Sequence, residues 1–378
     1  MKLSRRTLMR VVASILALIC APLAVSARIL PAPERARIEV AFVLDTTGSM
    51  GGLLEGAKVK IWSIANQMVS ARPTPELRIA LVAYRDRGDD YVTRVFDLDD
   101  DIDAVYARLQ GLSAAGGGDS PESVNQALHE AVTGLDWSPQ GRVLKIVFLV
   151  GDCPPHVDYV GDVPYAESCQ RAVLQGLIIN TVQCGDNSDT TPIWQEIARR
   201  AEGRYVAIGQ GGDMQVIETP VDKELARLNQ RLGQTLIAFG SAHKRRAVMA
   251  KQRAAEAAPM ATSADRLAFN AATGKTVQGG GDLIDEIDAG RIRLEEVAEE
   301  QLPAELRGLS SAQRKDYLVA VRRERVKIQT RIDELLTERR DDLAREMRRL
   351  AADGRGHPFD LRILEILREQ GRAKGLRF

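Results

Sequence analysis

The chain has 378 residues and is 44% hydrophobic, enough to bury a sizeable core, which excludes wholesale disorder. Aromatic residues are only 4%, which speaks against a stacking platform for single-stranded nucleic acid. Basic and acidic residues balance at 52 each, so there is no global basic field to hold a polyanion.

The first 27 residues follow an export plan. Lys2, Arg5, Arg6 and Arg10 precede an apolar run from Val11 to Ala24, and small residues follow at Val25-Ser26-Ala27. A spanning helix needs about 20 apolar residues, and Pro22 interrupts this run. Residues 1–27 are therefore expected to be a signal peptide, with the protein exported to the periplasm or secreted. Ser4-Arg5-Arg6-Thr7-Leu8-Met9-Arg10 also resembles a twin-arginine signal, which would carry the chain across already folded. Ile19 is too bulky to make Cys20 a lipidation site. Loss of the four basic residues leaves the mature chain net acidic, a poor general binder of nucleic acid or anionic membrane.

After a short linker (28–36) the pattern is strand and helix in alternation. Ile38–Leu44, Val143–Val150 and Leu177–Val182 are nearly continuous apolar runs, as expected of parallel strands covered on both faces. Leu77–Tyr84 and Arg204–Ile208 are further strands, and Val92–Asp97 suits a short edge strand. Leu54, Ala57, Ile61, Trp62, Ala65, Met68 and Val69 form one helical stripe, and Val124, Ala127, Leu128, Ala131 and Leu135 form another. This predicts an α/β fold, a doubly wound and mostly parallel sheet over 37–240. Residues 241–378 are rich in Ala, Arg and Glu and read as helical, with Gly279-Gly280-Gly281 as a hinge or loop. An amphipathic helix over about 311–352 carries Leu318, Val321, Ile328, Ile332, Leu335, Leu336, Leu343, Met347 and Leu350. Such a stripe needs cover, either from this chain's own helices or from a second copy in a coiled-coil homodimer.

Ligands of an open α/β sheet bind beyond the carboxyl ends of its strands. Three loops there carry oxygen groups: Asp45-Thr46-Thr47-Gly48-Ser49, Gly116-Gly117-Gly118-Asp119-Ser120-Pro121-Glu122, and Gly151-Asp152-Cys153-Pro154-Pro155-His156. Hydroxyls and carboxylates in a tight turn suit a hard cation, Mg²⁺ first, with Mn²⁺ or Ca²⁺ as substitutes. Capping of the following helices would employ Thr47, Ser49 and the Asp119–Glu122 stretch instead. His156 is expected to be a loop residue rather than a ligand. Asp97-x-Asp99-x-Asp101 fails as a calcium loop, because Ile102 stands where glycine is needed and Arg108 where a bidentate Glu is needed.

Taken together, Asp45-x-Thr47-x-Ser49 and Asp152 resemble the metal-ion-dependent adhesion site of von Willebrand factor A domains, over roughly residues 37–215. The resemblance implies that Thr47 and Ser49 bind a metal through their hydroxyls and that Asp45 and Asp152 act directly or through water. It implies too that an acidic side chain of a protein partner completes the shell. Asp119 stands where the best-known members have a threonine, a form similar to that of exported bacterial members. Asp45, Asp119 and Asp152 would then outweigh a divalent ion by one charge, holding it tightly but weakening its pull on a partner carboxylate.

Cleavage of the signal peptide leaves Cys153, Cys169 and Cys184. Cys169 and Cys184 are expected near the same sheet edge and so to form a disulfide; Cys153–Cys184 is the rival, and three buried small hydrophobes the third arrangement. The function expected is a non-enzymatic, Mg²⁺-dependent adhesion-type protein. A metal-assisted hydrolase and a structural envelope protein working through its helical tail are the alternatives. No nucleic acid and no small-molecule substrate is expected.

Overall fold

The structure, a computed structural model, describes residues 36–378 apart from Asp119, Gln140, Gly141, Asp213, Gln215 and residues 354–358. The expected signal peptide with its twin-arginine stretch, and all of the linker but Ala36, lie outside the described residues. Among the described residues, no helix is long and apolar enough to cross a membrane.

Six strands form one sheet: β1 (Arg37–Asp45), β2 (Glu76–Tyr84), β3 (Thr93–Asp99), β4 (Val143–Gly151), β5 (Leu177–Cys184) and β6 (Tyr205–Ile208). Their order is β3-β2-β1-β4-β5-β6, and only the β2–β3 pair is antiparallel. The order reverses between β1 and β4, so their carboxyl ends open a crevice between diverging crossovers. In register, Leu44 faces Val150 across this seam and Asp45 faces Tyr84 on the other side, so β1 delivers Asp45 to the rim.

Period-two alternation sorts each strand between two cores. Val40, Phe42, Leu44, Ile146, Phe148, Val150 and Cys184 point to one face. That face is covered by α1 (Gly51–Val69) and α2 (Ile102–Gln110). Ala41, Val43, Val147, Leu149, Leu177 and Ile179 point to the other. There α3 (Val124–Thr133), α4 (Tyr165–Leu174) and α5 (Thr190–Arg200) cover them. The acidic run after β3 behaves as a helix start: Asp101 caps α2 by accepting the Ala104 N–H.

The two faces correct one expectation. Cys184 is in the α1 core, whereas Cys169, on α4, is in the opposite core. The sheet itself separates them, so no Cys169–Cys184 disulfide forms; the Cys169 thiol donates instead to the Ile197 carbonyl at 3.7 Å.

The helical region comprises α6 (Asp222–Gly233), α7 (Ala242–Ala257), α8 (Met260–Thr273), α9 (Leu283–Asp288), α10 (Ser311–Ala352) and α11 (Phe359–Arg372). The stripe of the 42-residue α10 is covered by the chain itself. Ile328, Ile332 and Leu335 pack on Leu225, Leu228 and Leu232 of α6 and Leu267 of α8. Leu318 packs on Phe239, Leu283, Leu302 and Leu306. Of the two covers foreseen for the stripe, the structure uses the intramolecular one.

The boundary expected at residue 240 lies beyond the last strand, which ends at Ile208, and the chain after it still packs on the sheet's helices. Phe269 of α8 lies edge-on to Trp62 of α1, ring centroids 5.5 Å apart. Ile363, Ile366 and Leu367 of α11, with Leu376, belong to the α1 core. Gln370 of α11 exchanges amide hydrogen bonds with the buried Asn180 of β5 at 2.8 and 3.2 Å. The last helix thus completes a face that the sequence before residue 240 leaves uncovered. Gly279, Gly280 and Gly281 all have left-handed backbones, and Gly279 sits against the Asp101 carboxylate, so they form a tight connector seated on α2 rather than a hinge.

Candidate metal centre

The carboxyl ends of β1 and β4 bring the first and third loops together. The Thr47 N–H and hydroxyl both donate to Asp45 Oδ1, at 2.8 and 2.7 Å. The Thr47 and Ser49 hydroxyls are 3.3 Å apart. Thr47 is buried while Ser49 is exposed, so the hydroxyl pair runs from the interior to solvent. From the third loop, Asp152 Oδ2 accepts Gln210 Nε2 at 2.7 Å, and the same amide reaches the Ser49 carbonyl at 3.4 Å. Neither helix start takes a side-chain cap from this group: no such bond forms at the turn beginning with Gly48 or at the start of α3.

The second loop is tied to both others by backbone. Ala115 N–H donates to the Thr46 carbonyl and Gly48 N–H to the Gly116 carbonyl, both at 3.1 Å. Glu122 N–H donates to the Pro154 carbonyl at 2.9 Å, and the Glu122 carbonyl accepts His156 N–H at 3.0 Å. Gly117 has φ of +73°, and a Cβ there would lie 2.7 Å from the Thr47 Cβ and 2.8 Å from Glu122 Oε1. At Gly151 a Cβ would meet the Tyr84 hydroxyl at 2.4 Å and the Asp45 Cβ at 3.0 Å. Only glycine allows the loops to close at these two places. Asp119, the residue expected to serve from this loop, lies outside the described residues.

Three acidic oxygens of these loops lack a donor. Asp45 Oδ2, Asp152 Oδ1 and Glu122 Oε2 are buried and have no hydrogen-bond partner among the described residues. Their residues are 0, 8 and 2% exposed. Burial, opposed by the two Thr47 bonds and reinforced by the Asp152 charge, raises the Asp45 pKa to about 7. Burial and the charges of Asp45, Asp86 and Asp152 push Glu122 up to about 9. Carboxyl groups held this far from water ionise more readily when a positive charge joins them. The donor set of Thr47 and Ser49 hydroxyls with acidic oxygens therefore fits a hard divalent cation. Among the described residues, no three His, Cys, Asp or Glu side chains gather as a metal cluster; the group here is acids mixed with hydroxyls.

Neighbouring side chains brace the loops. His156 is buried, stacks on Tyr159 at 3.9 Å, bonds Asp158 at 2.8 Å and lies 3.4 Å from Asp86, so it is engaged in the loop as expected. Asp86 also accepts the Ser123 hydroxyl at 2.8 Å and the Tyr159 hydroxyl at 2.7 Å. Arg85 donates to the carbonyls of Thr46 and Ser113, and Asp89 accepts Gly117 N–H at 3.0 Å. Burial pushes the Cys153 thiol up to about 12, so it stays protonated. Arg85, Asp86, Asp89 and Gln210 were not singled out from sequence. The first three follow β2 directly, and the strand-end argument applied to that strand finds them. Gln210 follows a four-residue strand and carries no pattern.

Comparison with known proteins finds a family and individual proteins to which the chain is similar. The von Willebrand factor A domain model matches residues 39–209. A stretch of 116 residues is 38% identical to von Willebrand factor A domain-containing protein 7 of Mus musculus, covering 31% of this chain and 12% of that protein. The chain thus spans about an eighth of that relative's length. Among solved structures, BatB of Bacteroides thetaiotaomicron is 17% identical with a TM-score of 0.36, covering 46% of this chain and 90% of that one. The mussel byssus proximal thread matrix protein 1, solved with a zinc-occupied MIDAS motif, is 17% identical with a TM-score of 0.36, covering 47% of this chain and 42% of that one. Domains of the matching family commonly mediate protein–protein interaction. Residues 39–209, just under half of the chain, thus match the von Willebrand factor A domain family.

Proposed function

We propose that this is an exported, non-catalytic binding protein that holds a divalent cation, Mg²⁺ by preference, at the rim of its sheet and engages a protein partner there. The observation that carries this reading is that Asp45 Oδ2 and Asp152 Oδ1, at the ends of the neighbouring strands β1 and β4, are buried and without donors among the described residues, with the Thr47–Ser49 hydroxyl pair in the same loop as Asp45. A cation bound there would be held by Thr47 and Ser49 hydroxyls and by Asp45 and Asp152. It would supply a Lewis-acidic position facing solvent on the exposed Ser49 side, open to an acidic side chain of the partner. Export rests on the basic start and apolar run of residues 1–27.

The test uses the intact protein. Mg²⁺ should raise its melting temperature and a chelator should reverse the rise, with both effects lost in Asp45→Ala. Partner retention on the immobilised protein should follow the same dependence. Equal melting temperatures with Mg²⁺ and with chelator would remove the cation from this account.

A further inference from the structure

We propose that the cavity between α8, α9 and α10 is a binding site for an aliphatic amine, an organic cation with an apolar chain. The site lies in the helical region and does not rest on the cation reading of the rim.

The helices leave an open cavity of about 760 Å³ between them. Small-molecule sites span about 300–1,000 Å³. The apolar part of its lining comes from Leu232 of α6, Leu267 of α8, Ile284 of α9, and Val326 and Ile332 of α10. Val326 is 59% exposed, an aliphatic side chain left open on the cavity wall. Along α10, Arg322, Val326, Gln329 and Asp333 recur at three- and four-residue steps, so one face of that helix borders the cavity from end to end.

The charges of the lining do not balance. Each of its cations already has an acid: Arg322 pairs with Asp288, Arg291 with Glu286, and Lys275 lies 3.9 Å from Asp100. Arg325 is shared between two acids, Asp282 at 2.8 Å and Asp285 at 2.9 Å, so one guanidinium serves two carboxylates. Asp285 is the one of that pair that borders the cavity. Asp333 borders it as well; burial raises its carboxyl pKa, and no neighbouring positive charge opposes the rise. Ala271, Thr273 and Gly274 bring the carboxyl end of α8 to the same space, and with it the negative end of a helix dipole. An entering cation therefore meets two acids short of counter-charge, while its chain meets aliphatic walls. An entering anion meets the same acids, and each cation there is already paired. Asp333 lies eight residues beyond Arg325, about 12 Å along the helix axis, so a chain with an amino group at each end can serve both acids.

The experiment is calorimetry on the intact protein with 1,8-diaminooctane, at about 0.15 M salt, where exposed charges are largely screened. Octanedioate and 1,8-octanediol carry the same chain with acidic and with neutral ends. The diamine should saturate a single site, and neither of the other two should match its affinity. Asp333→Asn removes an unpaired charge, and Val326→Arg places a cation on the apolar wall. Both positions are exposed, so both variants should keep the wild-type melting temperature. Each should weaken the diamine by about fivefold or more. Asp45→Ala, at the rim, should leave its affinity unchanged. Absence of saturable diamine binding overturns the proposal, and so does equal affinity for octanedioate or the diol. Wild-type affinity in either cavity variant overturns it too, since the amine would then sit elsewhere. Loss of diamine binding in Asp45→Ala would place the amine on the rim acids and overturn it as well.

Discussion

The rim and the helical region bury their acids under opposite arrangements. Where the helices dock, Asp103 is held by Arg266 through two bonds of 2.7 and 2.9 Å. Asp222 and Asp265 share Arg339, each at 2.7 Å, and Asp282 and Asp285 share Arg325 at 2.8 and 2.9 Å. All three arginines are buried. At the rim, Asp45, Glu122 and Asp152 are buried just as deeply, yet each has an oxygen that no donor among the described residues meets. Even with its arginine, burial and the Asp282 charge lift Asp285 to about 6. The chain therefore places guanidinium groups against buried acids where it needs a fixed joint, and leaves rim acids open where a mobile positive charge can serve. The contrast locates function more sharply than either region does alone.

The largest expected effect tests whether the two regions can be separated. Ending the chain after Asp353 removes Ile363, Ile366, Leu367 and Leu376 from the α1 core and leaves Asn180 without Gln370. Each buried aliphatic contributes about 1.5–3 kcal/mol. Their sum is comparable to the roughly 5–15 kcal/mol that holds a domain together. The truncated protein should lack a cooperative melting transition by circular dichroism. A native-like transition would show that the sheet domain stands alone and that the helices are a true appendage.

A smaller effect turns a joint into something like the rim. Arg339→Ala takes the guanidinium from Asp265 and leaves Asp222 with Thr219 alone, and breaking such a buried pair costs about 3–5 kcal/mol. Urea unfolding should show that loss; a change under about 1 kcal/mol would mean these acids are as self-sufficient as the contrast denies.

Much of this was legible beforehand because parallel strands buried on both faces write continuous apolar runs, as at Val143–Val150. Loops at strand ends follow from that, which is how Asp45, Thr47, Ser49 and Asp152 could be named together. What stayed hidden depends on side chains meeting across long separations. The face on which Cys169 lands depends on how α4 rotates over the sheet, and residue spacing does not record it. The role of α11 depends on a helix returning more than 150 residues after β6. Glu122 reads as an ordinary first-turn acid until its backbone is seen bridged to Pro154 and His156.

The subtlest prediction concerns pH and decides whether the rim acids are truly without a resident charge. Burial raises Asp45 from 3.8 to about 7 and, together with neighbouring acids, Glu122 from 4.5 to about 9. A raised carboxyl pKa means that the folded state holds its proton more tightly than the unfolded state does. Its contribution is therefore fully present below the unfolded pKa and is lost as pH rises through the folded one. For these two groups the metal-free protein loses stability from about pH 4 through about 7 for Asp45, and on to about 9 for Glu122. A divalent cation acts in the reverse direction, because it displaces those protons and binds better as they leave. The rise in melting temperature on adding Mg²⁺ should therefore grow between about pH 5.5 and 8.5, and Asp45→Asn should flatten the slope. An increment that stays level or shrinks across that window would mean that the rim acids already have their counter-charge, and the difference between the two regions would disappear.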